Sequence, residues 1–181
     1  MMKRLLSTLF LILLNCTAQA LPLLKGTDLT HGTAFEHNWN GNNNPTVVVF
    51  LSSSCPCSMA HIDHLITLAK DFPQVKFIGV HSNANESQEE AQKYFQSLDL
   101  PFPVIQDNSS EWADRLKAYR TPHAFLISPS GEILYQGGVT SSADPKKADA
   151  FYLKVTLKNI LSGKKIENTH TRVLGCQIAR E

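Results

Sequence analysis

Long apolar runs are nearly missing from this chain of 181 residues. The longest, Leu5 to Leu14, is too short for a membrane helix, which needs ~20 apolar residues. Surplus charge of either sign is missing too: 17 lysines and arginines stand against 16 acidic residues. A near-neutral chain has no electrostatic case for nucleic acid or for an anionic membrane surface. Cysteine is sparse, at four in the whole sequence. The chain is long enough to bury a core of its own, so it needs no disulfide framework to fold. Repeats, low-complexity segments and a second domain are also absent from the pattern.

What is present begins at the N-terminus. Lys3 and Arg4, the run Leu5 to Leu14 and the ending Ala18-Gln19-Ala20 follow the order of a secretory signal peptide. Cleavage after Ala20 is expected, with residues 1–20 as the signal and a periplasmic or secreted location for the rest. Cys16 could instead be a lipoprotein cysteine, but Asn15 stands where a small residue is required. Loss of residues 1–20 removes two basic residues and no acidic one, leaving 15 against 16, and leaves no membrane span. Three cysteines remain, Cys55, Cys57 and Cys176, in a compartment where thiols tend to be oxidised. An odd number cannot be fully paired within one chain, so at least one thiol is free, exchanging or on a metal.

Residues 21–45 are polar and turn-rich, ending in NGNNNP, and read as a hairpin or irregular lead-in. Thr46 to Leu51 is a continuous β-branched and aromatic run, the pattern of a strand buried on both faces. Met59, Ile62, Leu65, Ile66 and Ala69 then recur at helical spacing, which puts the cysteines of "FLSSSCPCSMAH" in a strand-to-helix turn. Val75 to Ser82 reads as a strand and Glu86 to Leu98 as a helix, with Glu86, Glu89 and Glu90 on a solvated face. "FPVIQD" reads as a short strand and "SSEWADRLKAY" as a helix capped by Ser109 or Ser110. "HAFLIS" and "EILYQGG" form a hairpin across Pro129-Ser130-Gly131, and Leu153, Leu157, Ile160 and Leu161 stripe a last helix ending near Gly163. The tail, 164–181, is polar except for Val173 to Ile178. This order predicts an α/β protein whose central mixed sheet is flanked by helices on both faces.

At this point residues and order coincide with a family. From about Asn44 to Leu161, and as a domain over 46–163, the chain resembles the thioredoxin-like fold in its redoxin branch, the alkyl hydroperoxide reductase/thiol-specific antioxidant superfamily. "VVVFLSSSC" running into a helix, "FPVIQD" and "YRTPHAFLISPSGEILYQGG" carry the resemblance. It implies that Cys55 is the nucleophilic cysteine and that Thr121-Pro122 is the cis-proline loop beside it. Position supports the first independently: the unsatisfied N–H groups and dipole of a helix N-terminus favour thiolate over thiol. In a thioredoxin the second cysteine would fall at Ser58, so Cys57 sits one residue early.

Two resolving partners for Cys55 stand open. Alpha carbons two apart lie roughly 6 Å from each other in polyproline geometry, inside the disulfide range of about 4.4 to 6.8 Å, so Cys57 is within reach, in a small strained ring. "TRVLGCQI" resembles a terminal segment of some exported redoxin-domain proteins, which implies a tail folded back so that Cys176 resolves. His123, after the cis-proline, is a candidate to stabilise the thiolate or relay its proton. The expected function is thiol–disulfide exchange, with a protein thiol or disulfide, or an upstream thioredoxin-like reductant, as partner and with no cofactor. Two alternatives remain. A thiol peroxidase would need the pattern proline, threonine, cysteine, here Val48, Ser52 and Cys55, and an arginine where Tyr135 stands. A copper(I) chaperone would use Cys57 with His61, His64 and His123, although the two histidines on the helix read first as a solvent-facing stripe.

Overall fold

The computed structural model describes residues 21–39 and 44–180. The signal-peptide reading, including Ala20 and Cys16, falls outside those residues. Leu24–Asp28 (β1) and Thr33–His37 (β2) pair antiparallel. Their turn is built by Asp28, whose carboxylate accepts from the Thr30 amide (2.9 Å) and hydroxyl (2.6 Å), and by Gly32 at φ +70°. The turn is thus well before the NGNNNP segment.

Thr46–Leu51 (β3) is buried at every residue, as a continuous apolar run requires when both faces are covered. It pairs parallel with Lys76–His81 (β4) and antiparallel with His123–Ile127 (β7). Val104–Gln106 (β5) and Ile133–Gly137 (β8) complete a seven-stranded mixed sheet in the order β2-β1-β5-β4-β3-β7-β8. Side chains alternate across the sheet and so build two cores. On one face Val47, Val49 and Leu51 meet three helices, Pro56–Asp71 (α1), Gln88–Gln96 (α2) and Tyr152–Leu161 (α4), through Ile62, Leu65, Ala91, Phe95, Leu153 and Leu157. On the other, Val48, Phe50 and Phe125 meet Trp112 and Ala113 of Glu111–Arg115 (α3), together with Trp39 and Ile178.

Three details depart from expectation. The buried stripe of α1 is rotated, so that Met59 is 45% exposed and His61 is buried in the helix's packed face. Helix α2 starts at Gln88 behind a Ser87 cap that accepts from the Glu90 amide, leaving Glu86 outside the helix. Ahead of α3 the cap is Asp107, whose carboxylate accepts from the Trp112 and Ala113 amides, while Ser109 and Ser110 hold φ of 58° and 54° and cap nothing. The structure also contains a second, two-stranded sheet absent from the sequence reading. In it Arg120–Thr121 (β6) pairs with Cys176–Gln177 (β9). Among the described residues no helix is long and apolar enough to cross a membrane.

Candidate active site: three sulfurs at the head of the first helix

Where β3 leaves the sheet, three serines carry the chain into α1. Their donors converge on one carboxylate. Glu86 accepts from the hydroxyls of Ser52 (2.5 Å), Ser53 (2.5 Å) and Ser54 (3.0 Å), from the Ser53 amide (2.8 Å) and from Asn83 Nδ2 (2.6 Å). His81 Nε2 lies 3.1 Å from the same group, and the Glu86 side chain is only 7% exposed. Burial alone would raise the carboxyl's pKa, but the hydrogen bonds from His81, Ser52 and Ser53 outweigh it and hold the group far below the usual carboxylate range. Glu86, read from sequence as part of a solvated face, is therefore the anchor of the cysteine loop.

That loop places Cys55 as the N-cap of α1, with Pro56 at the first helical position, where a missing N–H costs nothing. The Cys55 amide donates to Ser52 Oγ (2.9 Å), and the Ser58 amide points at Cys55 Sγ (3.5 Å). The Ser58 hydroxyl, in the position of a thioredoxin's second cysteine, accepts from the Ser52 amide (3.0 Å) and is fully buried. It pins the loop and carries no chemistry.

The opposite wall comes from the tail. The Thr121–Pro122 peptide bond is cis, and the Thr121 carbonyl oxygen lies 3.2 Å from Cys55 Sγ. Thr121 pairs with Cys176 across β6 and β9, and Arg120 donates to the Gly175 carbonyl. Gly175 holds φ +153°, and a Cβ there would collide with the Thr121 carbonyl, so only glycine brings the tail this close. Further anchors follow: the Ile178 amide to Tyr119 (3.1 Å), the Ala179 amide to Asn83 Oδ1 (3.1 Å) and Arg180 Nε to Asp114 (2.7 Å). Asn83 thereby links the tail to Glu86 on the other wall.

Between these walls Cys55 and Cys176 form a disulfide, with alpha carbons 5.9 Å apart. Cys57 is free and half-buried, and the sulfurs of Cys55, Cys57 and Cys176 all lie within 4.8 Å of one another. Cys55 is only 2% exposed, whereas Cys57 and Cys176 line a cleft of about 610 Å³ with Tyr119, Arg120, Arg172 and Leu174. A second cleft of about 620 Å³, along α4, contains no cysteine.

The histidines lie elsewhere. His123 packs between Tyr119 (5.2 Å between ring centroids) and Phe125 (4.4 Å), on the sheet face opposite α1, with Nδ1 buried and unpartnered. Burial lowers its pKa to about 4, so it is neutral at pH 7 and carries no charge to stabilise a thiolate. His61 is not on a solvent-facing stripe: Nδ1 donates to the Cys57 carbonyl (2.7 Å) and Nε2 meets Thr140 Oγ1 (3.1 Å). Burial lowers its pKa, against the opposing effects of the Cys57 carbonyl and Asp144. His64 is partly buried against the Phe151 ring. Among the described residues no histidine joins the three sulfurs at metal-ligand spacing. Tyr135, where a peroxidase would need its arginine, is buried and donates to the Gly138 carbonyl (2.6 Å), and Ser52's hydroxyl is occupied by Glu86 and Cys55.

Comparison with known proteins agrees with this architecture. No curated protein matches the sequence. An uncharacterized conserved protein from Geobacillus kaustophilus superposes with a TM-score of 0.79 at 22% identity, over 90% of this chain and 91% of that one. A secreted Mycobacterium tuberculosis disulfide oxidoreductase homologous to DsbE of E. coli gives 0.52 at 22% identity, over 61% and 79%. StoA from Bacillus subtilis gives 0.55 at 20% identity, over 65% and 89%. At such identities the likeness is one of fold. The sequence itself matches the family described as Thioredoxin-like over residues 42–133, just over half its length. With that match and the mixed sheet flanked by helices, the chain belongs to the Thioredoxin-like family.

Proposed function

We propose that this protein is an exported thiol–disulfide oxidoreductase whose substrate is a thiol or disulfide of another protein. The observation that carries the reading is the disulfide between Cys55, at the head of α1, and Cys176, on the folded-back tail. In the reducing direction the Cys55 thiolate attacks a substrate disulfide, forming a mixed disulfide and expelling one substrate thiolate. Cys176 then attacks Cys55 Sγ, the second substrate thiolate leaves, and two electrons have passed to the substrate. In the oxidising direction the same steps run backwards. Each stage has a residue in this reading. The helix N-terminus and the Ser58 amide stabilise the Cys55 thiolate, Pro122 shapes the groove for the substrate backbone, and Gly175 lets Cys176 reach the bond. The signal-peptide pattern supports a periplasmic or secreted site of action, where a resting disulfide persists.

The test is a Cys176→Ser variant, whose reduced Cys55 should be trapped as a mixed disulfide by a protein substrate that carries a disulfide. Undiminished exchange by a variant with both Cys55→Ser and Cys176→Ser would overturn the reading.

A second reading has one observation in its favour, the mutual approach of three sulfurs, which in reduced form offers a soft thiolate set for copper(I). It differs from the sequence expectation in using Cys55, Cys57 and Cys176 without histidine. Copper(I) retention by the reduced protein that survives His61→Ala and His123→Ala but not Cys57→Ser would support it.

A further inference from the structure

A third thiol beside a two-cysteine disulfide is either a bystander or a participant. We propose that Cys57 opens the Cys55–Cys176 disulfide from within the molecule, so that three cysteines share one disulfide; the inference rests on the exchange reading above. The Cys57 thiol gives its proton to water in the cleft, and the thiolate attacks Cys176 Sγ. A Cys57–Cys176 bond forms, the Cys55–Cys176 bond breaks, and Cys55 leaves as a thiolate. One disulfide replaces another, so no outside oxidant or reductant takes part.

Three observations make Cys176 the sulfur attacked and Cys55 the one released. The three sulfurs lie within 4.8 Å of one another, close enough for side-chain rotation to bring Cys57 to either partner. The better leaving group is the sulfur whose thiolate is better stabilised, and Cys55 caps α1 with the Ser58 amide aimed at it. Attack on Cys55 instead would close the small ring of Cys55, Pro56 and Cys57, whose geometry strains a disulfide.

The exchange answers a problem of access. In the Cys55–Cys176 form Cys55 is 2% exposed, so direct attack on it by an incoming protein thiol is slow. In the Cys57–Cys176 form both sulfurs belong to residues lining the cleft of about 610 Å³, beside Tyr119, Arg120 and Arg172. Cys55 then waits as a buried thiolate, ready to receive the bond back. His61, donating to the Cys57 carbonyl, holds the turn that carries the entry thiol.

Two measurements on the full-length chain decide the matter. In the first, a Cys55→Ser variant is treated with oxidised glutathione and its disulfides are mapped. An intramolecular Cys57–Cys176 bond is expected, and separate glutathione adducts on both residues would count against the relay. In the second, the oxidised wild-type chain is held at pH 8, quenched in acid, labelled with a maleimide and fragmented at the Cys55–Pro56 bond. Label on Cys55 as well as Cys57 is expected, and Cys57→Ser should slow exchange with a protein dithiol at least about tenfold. Label on Cys57 alone, with an unchanged rate in Cys57→Ser, would overturn the relay. If the wild-type chain itself fails to exchange, the exchange reading falls, while the label still decides whether Cys57 displaces Cys55.

Discussion

The two walls that meet at the disulfide are built in opposite ways. The Cys55 wall is local: a strand end, three serines and a helix cap, tied to one buried carboxylate by five hydrogen bonds from Ser52, Ser53, Ser54 and Asn83. The Cys176 wall arrives from 121 residues away and is held by a two-residue ladder, scattered backbone bonds and the burial of Val173 and Ile178. A two-stranded ladder of that size is marginal by itself. In the proposed exchange, the difference separates a sulfur that must be presented in one geometry from a sulfur that must come and go. Charge-assisted hydrogen bonds to one buried carboxylate fix the first, whereas backbone bonds of about 1 kcal/mol each and arginine contacts, such as that of exposed Arg180 to Asp114, hold the second.

Breaking the rigid wall should have the largest effect. Glu86→Ala leaves Ser52, Ser53, Ser54, Asn83 and His81 without their shared acceptor, and a loss of about 4 kcal/mol is expected from removing one member of a buried charged network. Denaturant unfolding of wild type and variant measures it. Attack on the tail wall should be smaller and more selective. Gly175→Ala sets a methyl group against the Thr121 carbonyl, so about 3 kcal/mol should be lost in the oxidised chain, as the seat of the disulfide is displaced. In the reduced chain the same substitution should be nearly silent, and comparing the two melting curves isolates the tail.

Acid probes the strand beneath the second wall. His123 has its pKa lowered to about 4 in the folded chain by burial. The unfolded chain, near 6.5, binds its proton more readily. Its contribution to stability is therefore complete above pH 6.5 and is lost as pH falls toward 4, amounting to about 2 kcal/mol at pH 5. His37, lowered to about 4 by burial and by Lys76, acts in the same direction. Unfolding at pH 7 and pH 5 should show the loss, and His123→Phe should reduce it. The smallest effect should be Ser58→Ala, which removes one acceptor from the Ser52 amide and should lower stability by about 1 kcal/mol.

The same contrast governs what the sequence revealed. Thr46 to Leu51 was legible because a strand covered on both faces has no polar position to break the run, and α1 followed from its spacing. Cys55 could be placed at the helix N-terminus by the helical spacing that starts at Met59, just beyond it. Glu86 could not be identified as an anchor, because its serine partners lie 32 to 34 residues earlier in the chain and a glutamate near a helix start looks like any solvated one. His61 was read as exposed because a histidine in a polar stripe gives no sign that Thr140, 79 residues on, will meet it. The β6 and β9 ladder lies below any periodicity, since two residues have no period. One signal was there to be used: a glycine directly before Cys176, in a tail otherwise rich in side chains, marks a place where backbone must approach backbone.

Everything here turns on whether the Cys55–Cys176 bond is a working redox couple or a staple. Equilibrating the protein in glutathione and dithiothreitol buffers of graded potential, and quantifying the bond by thiol labelling and peptide mapping, decides between them. A thiol–disulfide oxidoreductase should show reversible reduction with a midpoint in the range of about −270 to −120 mV. A bond that persists below about −300 mV would be structural, and would contradict the exchange chemistry assigned to this site.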